Sequence, residues 1–105
     1  MTQAEIIEEI RIRLGAAVPP RSKVLLFGSH ARDEAVADSD YDVLVIEPQV
    51  EDRVEESARL RRELRGLGVP IDIVVMDEAT MKRRAVVAGT LADRAQREGR
   101  VLVDA

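Results

Sequence analysis

The sequence predicts an α/β domain, a small mixed β-sheet flanked by helices. Three observations predict it. Apolar runs of strand length recur at residues 24–27, 41–46 and 69–76. Stretches with helical apolar spacing lie between and around them, and Gly, Pro or acidic turn residues punctuate the junctions. The 105 residues fit one domain spanning 1–105, and 46% hydrophobic content is enough for a buried core.

Taken in order, Ile6, Ile7, Ile10 and Leu14 repeat at helical spacing among charged residues, with Thr2 placed as N-cap. Gly15 and Pro19-Pro20 are expected to stop this helix. Val24 to Phe27 is a short buried strand ending at Gly28. Residues 29–37 lack a breaker and predict a short helix capped by Ser29, followed by an Asp38-Ser39-Asp40 turn. The second strand, 41–46, closes at Glu47-Pro48. Val50, Val54, Ala58 and Leu64 form the apolar stripe expected of a second amphipathic helix, stopped by Gly66 or Gly68. The third strand covers 69–76. Asp77 and Glu78 open a helix through Met81, Ala85 and Ala88 to Gly89, and Thr90 caps a last short helix ended by Gly99. Val101 to Val103 can add a terminal strand.

Composition narrows the chemistry. There are 16 Lys plus Arg against 20 Asp plus Glu, a net charge of −4, and only Phe27 and Tyr41 are aromatic. A single-strand binder needs stacking platforms and a positive groove, so direct nucleic-acid binding is not expected. With no Cys, disulfides, thiolate metal sites and Cys nucleophiles are excluded, and a lone His excludes a two-histidine metal site. Carboxylates, hydroxyls, backbone amides and Arg or Lys remain, a set suited to magnesium and phosphate. No run approaches the roughly 20 apolar residues of a membrane span. The N-terminus lacks the basic start and apolar run of a signal peptide, so the expected location is the cytoplasm.

The carboxylates carry the most information. Asp40 and Asp42, two apart at the start of a strand, point to one side. Asp72 lies in the apolar strand 69–76, on the face opposite Ile71, Ile73 and Val75. Burying an ionised carboxylate there would be costly without a compensating cation. Neighbouring strands can bring the three together, and a divalent cation is the simplest means of holding such a self-repelling group. Gly28 and Ser29, between strand and expected helix, offer amides and a hydroxyl for an anion.

The run Gly28-Ser29, then ten residues, then Asp40-Tyr41-Asp42, with Ala31-Arg32, Glu34-Ala35 and Ser39 between, resembles the signature of the polymerase-β-like nucleotidyltransferases. It is most similar to the minimal nucleotidyltransferases, the antitoxin half of HEPN/MNT toxin–antitoxin pairs. Arg97-Glu98-Gly99-Arg100-Val101-Leu102 resembles that family's usual C-terminus, whereas Asp33 stands where the family often has Gly. The resemblance implies a nucleotidyltransferase fold. It also implies a Mg²⁺ site for two ions at Asp40, Asp42 and Asp72, and ATP held by Gly28, Ser29, Arg32 and Ser39. The implied reaction is adenylylation of a tyrosine on a cognate HEPN ribonuclease toxin, with which the chain would form a hetero-oligomer.

Plainer readings exist for each part. The aspartates alone could be turn and strand-start residues, and Gly-Ser turns are common. His30 reads as a variable loop residue, Met76 and Met81 as core fillers, and Arg59-Leu60-Arg61-Arg62 and Lys82-Arg83-Arg84 as solvated helix faces. Other functions are an antitoxin acting by contact alone, a phosphoacceptor receiver, and a transferase for small molecules. The contact reading leaves Asp72 without a purpose. Receivers place their acceptor Asp at a strand's C-terminal end, and small-molecule transferases generally need an added acceptor domain.

Overall fold

The structure is a computed structural model and describes residues 1–32 and 39–105. Its elements run α1 (Gln3–Ala17), β1 (Lys23–Phe27), β2 (Tyr41–Glu47), α2 (Arg53–Glu63), β3 (Ile71–Asp77), α3 (Glu78–Ala85), α4 (Leu91–Glu98) and β4 (Arg100–Asp104). The strands form one mixed sheet in the order β3-β2-β1-β4, parallel between β2 and β3 and antiparallel elsewhere. This is the small mixed sheet flanked by helices that the sequence predicts.

The period-two alternation of the strands sorts the core into two layers. Val24, Leu26, Val43, Val45, Ile73 and Val75 pack under α1 and α2 with Ile6, Ile10, Leu14 and Leu60. Leu25, Phe27, Leu44, Ile46 and Met76 face the other way, covered by Ala92 and Ala95 of α4 and by Met81 and Ala85 of α3. Asp42 and Asp72 share the parity of this second face.

Local chemistry sets most boundaries. Thr2 and Glu5 make a reciprocal capping box at α1. The helix continues through Gly15 and ends at Val18, which is extended because it precedes Pro19. Asp52, Asp77 and Thr90 cap α2, α3 and α4 through their side-chain oxygens.

One expectation changes, and another lies largely beyond the described residues. Val54 is 80% exposed, and α2 buries Leu60, which the sequence places on a solvated face, while Leu64 at its C-cap is buried as expected; the larger leucine side chains remove more apolar area from water. The helix expected over 29–37 falls mostly outside the described residues, as does Asp38 of the expected turn. Residues 29–32 form a turn in which the Ala31 and Arg32 amides donate to Gly28 O at 3.1 and 3.2 Å.

Candidate active site

Gly28 follows β1 with φ +77°, a left-handed conformation that glycine adopts without strain. The β1–β2 register pairs Phe27 with Asp42, so the Asp42 carboxylate lies against Gly28. A Cβ at residue 28 would collide with Asp42 Oδ2 and stand 3.3 Å from its Cγ. The glycine therefore serves both the turn and the carboxylate beside it. On the other side of β2, Asp42 pairs with Asp72 in parallel register. Tyr41 N donates to Pro70 O at 3.0 Å and ties the starts of these two strands.

Asp42 is half-buried, whereas Asp40 and Asp72 are exposed. Burial pushes the Asp42 carboxyl above the ordinary Asp range. The charges of Asp72 and then Asp40 push in the same direction, while the Arg94 charge opposes them. Asp42 therefore senses the charges of the other two aspartates. The exposure of Asp72 corrects the expectation that its own burial demands a cation. It stands near the open start of edge strand β3, and the desolvation falls on Asp42 instead.

His30, a variable loop residue by sequence, instead shapes the site from within the fold. It is buried, with its ring stacked on Tyr41 at 3.6 Å and 10°. Gln3 Nε2 donates to its Nδ1 at 2.9 Å, which leaves Nε2 to donate to Ser39 O at 3.0 Å. The ring thus holds the backbone just ahead of Asp40. Nothing local distinguishes such a histidine from a loop residue, because its three partners come from α1, the segment before β2 and β2 itself. Arg32 turns toward α4, where its Nη1 meets Glu98 Oε2 at 3.0 Å. Ser29 and Ser39 are partly buried on the two sides of the undescribed segment.

Among the described residues, no three His, Asp or Glu side chains are already drawn together tightly enough to hold a metal ion. The donor set nevertheless fits a hard cation. Its oxygens are carboxylates, one of them lies against a bare glycine backbone, and their mutual repulsion would be relieved by positive charge. Amides and hydroxyls on the Gly28 side suit phosphate oxygens.

Comparison with known proteins gives consistent results. The profile of the nucleotidyltransferase domain family matches residues 5–93. A solved structure described as a minimal nucleotidyltransferase is 33% identical, with 95% of each chain covered and a TM-score of 0.63. A toxin–antitoxin complex with AMP-PNP has a chain 22% identical, covering 93% of this chain and 73% of its own, with a TM-score of 0.63. The toxin–antitoxin MntA–HepT has a chain 19% identical, covering 96% and 73%, with a TM-score of 0.60. No curated protein matches the chain.

Proposed function

The chain belongs to the nucleotidyltransferase domain family, and from that premise we propose that it is an antitoxin adenylyltransferase. It moves AMP from ATP to a tyrosine hydroxyl of a HEPN-type ribonuclease toxin and so silences that partner. The observation that carries this reading is the placement of Asp42 between Gly28 and Asp72, a carboxylate group beside an anion-accepting turn. The likeness to chains of toxin–antitoxin complexes, one of them with AMP-PNP, supports the partner and the nucleotide.

Asp40 and Asp42 would hold two magnesium ions, with Asp72 completing the site on the acceptor side. The ions, when bound, lower the pKa of the attacking hydroxyl and offset charge on the leaving pyrophosphate. Gly28 and Ser29 amides, the Ser29 hydroxyl, Arg32 and Ser39 orient the triphosphate. The tyrosine oxygen bonds to the α-phosphorus, the bond to the bridging oxygen of pyrophosphate breaks, and Asp72 receives the tyrosine proton. The whole reaction is assigned to one catalytic domain, 1–105, with the acceptor supplied by the partner.

Co-expression with the cognate toxin and intact-mass measurement tests this. The toxin is expected to gain whole AMP units with the wild-type chain and none with Asp42→Ala. The exposure of Asp72 lowers the cost of keeping that carboxylate, which leaves neutralisation by direct binding as the second reading. That reading wins if Asp40→Ala and Asp42→Ala proteins protect cells from the toxin as well as the wild type.

A further inference from the structure

The face of α4 that meets the site carries an arginine to which the reaction above gives no role. Ala92 and Ala95 anchor α4 among Leu25, Phe27 and Leu44. Because β1 and β3 lie on opposite sides of β2, α4 stands on the Gly28 side of Asp42, away from Asp72. Its two exposed flanks differ. On one, Arg97 pairs with Asp93 at 2.9 Å. On the other lie Arg94 and Glu98, four residues apart and therefore neighbours along the helix surface.

Glu98 reaches Arg32 at 3.0 Å, so this second flank faces the Gly28–Arg32 turn. Arg94 is one helical turn from Glu98 along this flank, over the sheet face that Asp42 shares. Among the described residues Arg94 forms no ion pair and no side-chain hydrogen bond. Arg32, by contrast, already has Glu98. A guanidinium fork beside three aspartates and a phosphate-accepting turn matches the pairs of oxygens on a polyphosphate.

We propose that Arg94 is a phosphate-binding residue that holds the β- and γ-phosphates of a nucleoside triphosphate against the Gly28-Ser29 turn, opposite the acceptor side marked by Asp72. The inference rests on the nucleotidyltransferase reading and extends it to a residue outside the Gly-Ser and Asp-x-Asp signature.

Calorimetric titration with ATP and with AMP, each with magnesium, tests it. AMP lacks the phosphates in question. Arg94→Ala is expected to weaken ATP binding about tenfold and to leave AMP binding within about twofold. Arg94→Lys is expected to recover part of the loss. Arg97→Ala, on the other flank of α4, is expected to bind both nucleotides as the wild type does. Arg94→Gln repeats the comparison if Arg94→Ala melts early. Equal loss for both nucleotides, or no loss for either, overturns the inference while the nucleotidyltransferase reading stands. A wild-type chain that binds no ATP overturns both.

Discussion

Gly28 meets two demands with one missing side chain, a positive φ of 77° and the Asp42 carboxylate against its backbone. Alanine there would carry the left-handed penalty, about 1–2 kcal/mol, and would also displace Asp42. We expect Gly28→Ala to lower unfolding stability by at least that amount in urea titrations and to weaken ATP binding. Retained stability together with unchanged ATP affinity would show that the carboxylate has room to move. His30 acts differently. Its ring clamps Ser39 O and the Tyr41 ring, so it governs where Asp40 begins without supplying a ligand itself. Asp72, exposed on an edge strand, has little desolvation to offset.

Strand β2 carries opposite carboxylate environments at its two ends. Asp42 opens toward the site, while Glu47 is 3% exposed and its Oε2 has no hydrogen-bond partner among the described residues. Burial raises the Glu47 carboxyl to about 8, aided by the hydrogen bond and charge of Glu56 on α2. Glu56 itself is drawn down to about 2 by Arg59, which grips both its oxygens at 2.7 Å. Arg59 also donates to Ala17 O at 3.0 Å, so this trio joins β2, α2 and the end of α1. The linkage signs differ. Glu47 keeps a proton in the fold that the unfolded chain releases above its ordinary value of 4.5, so its contribution is present below that pH and is lost as pH rises through about 8. The Glu56 contribution is present above 4.5 and is lost as pH falls through about 2. Glu47→Gln is expected to remove most of the stability decline between about pH 5 and pH 8 and to exceed the wild type at the upper end. Denaturant titrations across that range provide the check, and parallel pH profiles would refute the assignment.

At the scale of the molecule, a four-stranded sheet with helices on both faces leaves one corner of its second face open, and the aspartates occupy it. With a net charge of −4, the chain gains nothing from clustering acid there unless a cation arrives. Millimolar Mg²⁺ at fixed ionic strength is therefore expected to raise the wild-type melting temperature by a few degrees. Asp42→Asn is expected to melt higher without metal, because it removes the half-buried member of the repelling group, and to respond little to Mg²⁺. An equal Mg²⁺ shift in the variant would place the ion elsewhere. Sequence alone determined the alternation of strands and helices, the caps at Thr2, Asp77 and Thr90, and the spacing from Gly28 to Asp42, since each is written within a few residues and follows from local periodicity or cap geometry. It misjudged Val54 and Leu60, because which of them turns inward is settled only once a sheet is present to cover one flank of α2. The tertiary structure alone decided that Asp72 is exposed, that His30 is buried, that Glu47 is enclosed with Glu56, and that the Glu98 flank of α4 meets Arg32 after Gly28. Each of these depends on segments far apart in the chain meeting through strand order and helix packing, and no local pattern encodes which flank of a helix will face which loop.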